Sequence, residues 1–421
     1  MDSPGRKTQW PGKMGILLNR GAADLNNSAQ FPASPPQIIP LCFAGAAAAG
    51  LLGLAYANGS GRLVLATFIG LFAGIALYHA SFGFTSAWQR FASERRGAGL
   101  RAQILLILLT CAITFPLLAA GGIFGQPVHG SIAPFGIAAA FGAFLFGIGM
   151  HMGGSCASGT LFTMGGGNTR MLATLAGFVA GSLVATAHLA FWRSLPGFAP
   201  LSIVEKYGAV ASYALTALLL GSLFIYSRRR EIRHHGQLER DDRQFNLIRG
   251  PWPKLWGCYA LVFVSIATLL VLSRPWGITS AFALWGAKLG RAAGLPIDGW
   301  PYWANRQAWL NQPVWMDSTS VMNFGIVVGA LAAAALAGRF SPTFRLTSRE
   351  LAIALIAGML MGYGARLAYG CNIGAYFGGV ISGSLHGWGW LLFGFLGLSV
   401  SASLASRLKV RLNRRAEPSG S

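Results

Sequence analysis

Apolar and polar positions alternate along the chain in long blocks. Ten apolar runs, at roughly 38–57, 63–80, 102–120, 132–150, 171–192, 207–226, 256–272, 321–337, 351–369 and 388–405, are separated by shorter polar stretches. Most approach the ~20 residues a helix needs to cross the hydrocarbon core of a bilayer, and several are rich in glycine, as such helices often are. The pattern predicts an all-α polytopic membrane protein of about ten transmembrane helices. Two glycine-rich segments, 151–167 and 369–387, are too short to cross alone. Composition agrees: of 421 residues, 53% are hydrophobic and 11% charged, whereas soluble domains carry about 25% charged residues.

Charge adds an orientation. A net charge of +21 would suit nucleic acid if it formed one patch, but it is divided. Lys and Arg cluster at 90–101, 228–254, 339–349 (Arg339, Arg345, Arg349) and 407–415, each beside a helix end. Positive charge collects on the cytoplasmic side of membrane proteins. Alternating sides along the ten runs puts all four clusters, the N-terminal segment and Arg170 on that side. This places 25 of the 33 Lys and Arg inside and seven outside, with Arg366 at an outer helix end. One topology explains the charge, and no nucleic-acid footprint is needed. Residues 1–37 contain FPASPP and no continuous apolar core, so they do not resemble a cleaved secretory signal.

The chain also matches itself. GIGMHMGGSCASG (147–159) aligns without gaps on GYGARLAYGCNIG (362–374), sharing G-x-G-x6-C-x-x-G. Gly147, Gly149, Cys156 and Gly159 thereby correspond to Gly362, Gly364, Cys371 and Gly374, and His151 to Arg366, all at an offset of 215. A shorter pair, FGFTSAW (82–88) and WGITSAF (276–282), shares G-x-T-S-A at an offset of 194. The first-half motifs fall on the cytoplasmic side and the second-half motifs on the outer side, which makes the halves inverted repeats. In transporters this design puts the substrate path at the repeat interface, near the midplane. The expected organisation is a cytoplasmic tail over 1–37, a first membrane repeat over 38–226 and a basic cytoplasmic connector over 227–254. A second, inverted repeat follows over 255–406 and a basic cytoplasmic tail over 407–421. Both termini are then cytoplasmic, in the inner membrane of a bacterial-type cell, with lipid around the bundle.

The topology requires 151–167 and 369–387 to return to the side they leave, as re-entrant loops. Irregular backbone at membrane depth is tolerated only where protein or a wet cavity satisfies it, and glycine permits its sharp turns. The two loops should meet at a narrow waist and bring Cys156 and Cys371 to it from opposite sides. Freed backbone N–H groups favour an anion, and Arg366 and His151, five residues before each cysteine, add positive potential. A thiol is soft and a weak donor, suited to a sulfur-bearing anion. The residues around each cysteine, Ser155 and Gly159 in one loop and Gly370, Asn372 and Gly374 in the other, belong to the same expected path. Thr85, Ser86, Thr279 and Ser280 offer hydroxyls to it.

Each feature also has a plainer reading. Glycine and cysteine could serve helix packing, Arg366 could snorkel to the interface, and the hydroxyls could bond back into their own helices. Trp300, Trp303, Trp309 and Trp315 are expected in an outer interfacial belt. Cys42, Cys111 and Cys258 read as small buried hydrophobes. No CxxC or zinc-ligand spacing occurs, and no cofactor is indicated. All twelve Asp and Glu lie in loops, tails or helix ends, so a carboxylate proton relay within the membrane is not expected.

GIGMHMGGSCASGT, GYGARLAYGCNIGAYF and FGFTSAWQRF resemble the YeeE/YedE family of sulfur-transport membrane proteins, and the resemblance extends from about residue 40 to 406. It implies a transporter that takes up thiosulfate through a constriction between opposed loops, with thiols relaying the ion by S–H···S hydrogen bonds. Cys371 would be the outer thiol and Cys156 the central one. Members with a full relay carry a third cysteine near the cytoplasmic exit; here that position is Gly83, and Thr85 and Ser86 stand beside it. A small cytosolic sulfur carrier of the TusA type is an implied partner. A branch carrying another sulfur or selenium species, and a membrane sulfurtransferase forming a cysteine persulfide, are the alternatives.

Overall fold

The computed structural model describes residues 35–58, 60–123, 125–344 and 346–416. Arg345, residues 1–34 of the expected N-terminal tail and residues 417–421 of the C-terminal one lie outside them. Among the described residues, ten helices are long and apolar enough to cross a membrane, and they coincide with the ten apolar runs.

The first half of the chain contributes α1 (Ile38–Ala57), α2 (Gly61–Ala80), α3 (Phe84–Gln89, continued by a π-turn over Arg90–Glu94) and α4 (Ala98–Ala119). It continues with α5 (Ile137–Gly153), the short α6 (Ala157–Gly165) and α7 (Arg170–Ser194). α8 (Ile203–His235), expected to close the first repeat, is grouped here with the second half; α9 (Lys254–Leu272), α10 (Thr279–Ala292), α11 (Ser318–Leu336) and α12 (Ser348–Leu367) follow. A π-turn over Asn372–Phe377 and α13 (Leu385–Ala416) complete that half. The grouping rests on packing, since α8 packs on α4 as α1 packs on α11. Local signals set several starts. Ser60, Ser202 and Asp317 each accept a backbone N–H of the first turn, and Thr347 forms a capping box with Glu350.

Exchanging the halves preserves the main packing seams, although α1 packs on α2 and, among the described residues, α8 has no such seam with α9. α1 packs on α11 as α8 packs on α4; α2 packs on α11 as α9 packs on α4; α7 packs on α12 as α13 packs on α5; and α5 and α12 meet each other. These seams rest on glycine, because helices in lipid associate by close backbone approach. A methyl at Gly181 would sit 2.2 Å from the Met359 carbonyl oxygen, and one at Gly397 would sit 2.1 Å from that of Phe144. Met359 and Phe144 themselves correspond at the offset of 215.

Three expectations need correction. The stretch expected to begin the connector at 227 is helical as far as His235, because α8 continues through it. Glu231, fully buried, pairs there with Arg101 at 2.7 Å and Arg96 at 3.6 Å. Of the four tryptophans expected in a belt, Trp303 is buried and donates to Thr186 Oγ1 at 3.1 Å. Trp300 and Trp309 pack around it with Ile297 and Leu310; Trp315 alone of the four is exposed. Finally, Cys111 and Cys258 are buried as expected, but Cys42 is exposed on α1.

Candidate functional site

The two cysteines cap two short, buried segments with the same backbone geometry. α5 ends at Gly153 and the chain turns through Gly154 at φ 71°. α12 ends at Leu367, and Tyr369, the residue matching Gly154, takes φ 62°. That left-handed conformation is uncommon for a residue other than glycine. Cys156 then stands at φ −99°, ψ −170° before α6, and Cys371 at φ −98°, ψ −168° before the π-turn. Each cysteine carbonyl accepts a backbone N–H four residues on, from Thr160 and Ala375, at 2.8 Å in both cases. Both thiols are buried.

Neighbouring helices fix the second segment. Trp390 Nε1 of α13 donates to the Gly370 carbonyl oxygen at 3.3 Å. Gly370 itself has φ 152°, and a side chain there would press on the Ala375 nitrogen. Thr114 Oγ1 of α4 donates to the Ile381 carbonyl oxygen at 2.6 Å. The Tyr376 ring lies in stacked orientation against Trp390, with Trp88 on α3 5.6 Å away. Thus α3 from one half supports the cysteine segment of the other.

The smaller repeat motif is held by a side-chain amide in each half, at carbonyls one residue out of register in the repeat. Gln103 Nε2 on α4 donates to the Gly83 carbonyl oxygen at 3.3 Å, and Asn323 Nδ2 on α11 donates to that of Ile278 at 3.0 Å. Gly277 borders Gly374, which sets the second-half TSA turn against the Cys371 segment.

Two expected residues distant in sequence meet, and others contact their own neighbours. Arg366 Nη2 donates to Thr279 Oγ1 at 3.1 Å, beside the Gly277–Gly374 contact. Cys156 Sγ lies 3.4 Å from Ser158 Oγ, and Ser155 Oγ donates to the Cys156 carbonyl oxygen at 3.2 Å. Gly159 packs directly on Ser155 and the Cys156 sulfur. Gly83 and Ser86 line a small cavity at the foot of α3, and Ser86 Oγ donates back to the Gly83 carbonyl oxygen at 3.2 Å. Two residues turn elsewhere. His151 belongs to the last turn of α5 and meets Ser401 Oγ at 2.9 Å. Ser280 Oγ donates to Thr319, which also receives Arg274. Burial lowers the Arg274 guanidinium from its usual value, and the Asp317 carboxylate opposes the shift.

Buried polar atoms are normally hydrogen-bonded. Here Thr85 Oγ1, Asn323 Oδ1, Trp276 Nε1, Tyr376 Oη, Arg366 Nε and both amide atoms of Asn372 have no partner among the described residues. Arg366, Asn372, Tyr376 and Trp276 lie in or beside the Cys371 segment; His79 Nε2, Arg170 Nε, Thr216 Oγ1 and His386 Nε2 share this condition at other positions. Asn323, Trp276 and Tyr376 escaped the sequence reading. A lone amide in an apolar run, such as Asn323, was the available signal.

The sequence profile described as Sulphur transport matches residues 79–400. The chain belongs to the sulphur-transport family. Among relatives, it is 30% identical over 279 residues to the thiosulfate transporter TsuA of Spirochaeta thermophila, a match covering 61% of this chain and 74% of that one. It is 32% identical over 113 residues to the probable transporter YedE of Escherichia coli, covering 27% of this chain and 28% of that protein. The YedE of Salmonella typhimurium matches over the same length at 30% identity. The chain thus aligns with less than a third of each YedE protein and with about three-quarters of TsuA.

Proposed function

We propose that this family member is a permease that carries thiosulfate, or a closely related sulfur anion, between two cysteine-bearing segments entering the membrane from opposite faces. The observation that supports the reading is the pair of equivalent, buried cysteine caps, with unpartnered polar atoms on Arg366, Asn372 and Tyr376 around the second of them. Of these atoms, the donors, Arg366 Nε, Asn372 Nδ2 and Tyr376 Oη, can stabilise an anion that passes without its water. The name of TsuA supports thiosulfate as the guest.

In this reading Arg366 and Thr279 receive the anion at the outer mouth. The Asn372 amide and the Cys371 thiol replace its hydration, and the Cys156 thiol accepts it across the waist. A thiol binds a diffuse sulfur atom without holding it tightly, and conduction requires that each site also release. Thr85, Ser86 and Gly83 then form the inner exit. The positive-inside rule sets both termini and the 236–253 connector in the cytoplasm of the inner membrane. There the basic loops offer an acidic TusA-like carrier a docking surface.

The test is uptake of radiolabelled thiosulfate by cells lacking other thiosulfate permeases. The reading expects uptake and growth on thiosulfate as sole sulfur source. Expression at the membrane with no uptake overturns it. Competition by selenosulfate in the same assay measures how far the path accepts selenium. A persulfide on Cys156 or Cys371 after thiosulfate exposure would instead mark a sulfurtransferase.

A further inference from the structure

The inner exit carries charges that neither the repeat nor the cysteines explain. The cavity at the foot of α3 is lined by Gly83, Ser86, Arg90, Arg96, Gln103 and Lys254, among others. Three cations therefore border one space beside the Gly83 turn. Three carboxylates answer them unequally: Glu94 lies 3.0 Å from Arg90 Nε, Glu231 of α8 pairs with Arg96, and Glu239 of the connector faces Arg90 and Lys254. Glu231 is saturated: it pairs with Arg101 and Arg96 and accepts the backbone N–H of Gly97 and of Glu239. Glu239 is shared thinly. Its Oε1 lies 2.9 Å from Arg90 Nη1 and 3.9 Å from Lys254 Nζ, while its buried Oε2 has no hydrogen-bond partner among the described residues.

We propose that this cavity is an oxyanion-binding release site, and that Glu239 is a tethered competitor for it. Arg90 and Lys254 recognise a small doubly charged oxyanion such as thiosulfate or sulfate, with the Ser86 hydroxyl as a further donor. The Glu239 carboxylate occupies the same two cations when the anion is gone. Because it is tethered, it returns at high effective concentration, and the anion leaves instead of remaining held by Arg90 and Lys254. An exit of this kind gives the path an inner binding station where a third thiol is missing. The arrival of the anion rests on the permease reading; the existence of the site does not.

Anion binding to the purified full chain separates the two. Titrations of thiosulfate and of sulfate are compared for the unaltered protein, Glu239→Gln, Arg90→Gln and Lys254→Gln, all with Cys371→Ala present to remove the outer thiol. Glu239→Gln should tighten binding at least threefold, and Arg90→Gln and Lys254→Gln should weaken it at least threefold. Limited proteolysis of the 236–253 connector checks that Glu239→Gln leaves it docked; Glu239→Asp, which keeps the charge on a shorter arm, should fall between the two. Affinity unchanged in Glu239→Gln, or unchanged in both cation variants, overturns the proposal even if the protein transports thiosulfate. The expected shifts in a protein that shows no uptake would leave the site standing and remove the permease.

Discussion

Replacing Gly362 by alanine tests the seam on which the cysteine centre is built. A methyl at this position would sit 2.1 Å from the Phe178 carbonyl oxygen and 2.7 Å from the Ser182 nitrogen. Ordinary contact begins near 3.4 Å, so α12 must withdraw from α7 by about 1.3 Å. Both obstacles are backbone atoms and cannot rotate aside. Overpacking of this kind costs about 1–3 kcal/mol, against up to ~1 kcal/mol gained by alanine over glycine in a helix. The net loss should be up to about 2 kcal/mol. Because α12 leads straight into the Cys371 segment, the same displacement moves that segment. Gly45→Ala on α1 is the control, since nothing lies within 4 Å of its added methyl, and only the propensity gain remains. Thermal unfolding of the detergent-solubilised variants and thiosulfate uptake in cells are the assays. Gly362→Ala should melt lower and transport less, while Gly45→Ala should match or exceed the unaltered protein. Gly147→Ala, whose methyl would meet the Gly394 carbonyl oxygen at 2.1 Å, should behave like Gly362→Ala. Identical melting and uptake for Gly362→Ala and Gly45→Ala would refute the reasoning.

Other outcomes follow from the same geometry. Cys156→Ala and Cys371→Ala should each reduce uptake to background while membrane abundance, read by immunoblot, stays normal. Gly83 holds φ −101° and ψ 129°, ordinary for any residue, and only the Ser86 hydroxyl, 2.8 Å from an added Cβ, stands in the way. Gly83→Cys with Ser86→Ala should therefore accumulate normally and expose a thiol to alkylation from the cytoplasmic side; failure to accumulate would contradict this account of the turn. Arg366→Gln should raise the half-saturating thiosulfate concentration about tenfold, equivalent to ~1.4 kcal/mol, with a smaller change in maximal rate.

The ten helices were legible because hydropathy alone reports a lipid environment, and the paired Gly/Cys motifs were legible because both halves repeat them at fixed spacing. Helix ends were harder. The polar run Arg228–His235 reads as loop, yet it stays helical around Glu231, whose partners Arg96 and Arg101 are more than a hundred residues away in sequence. Trp303 reads as interfacial because its outer segment is polar, but the apolar cluster it enters is assembled from α7, α10 and the 297–310 turns. Arg366 and Thr279 each stood out singly, and only the fold joins them. Tyr376 and Trp390 gave no such signal: aromatic residues are common throughout this chain, and their role comes from the stack that braces the Cys371 segment. Glu239 was hidden for another reason, as one of three acids interleaved with three arginines over 236–253.

The most direct measurement is an experimental structure of the protein with thiosulfate bound, the sulfur atoms located by anomalous scattering. Thiosulfate sulfur between Cys371 and Cys156, in a passage bordered by Asn372 and Arg366, is the predicted result. Thiosulfate bound only outside that centre, with the two thiols sealed from each other by packed side chains, would contradict the account.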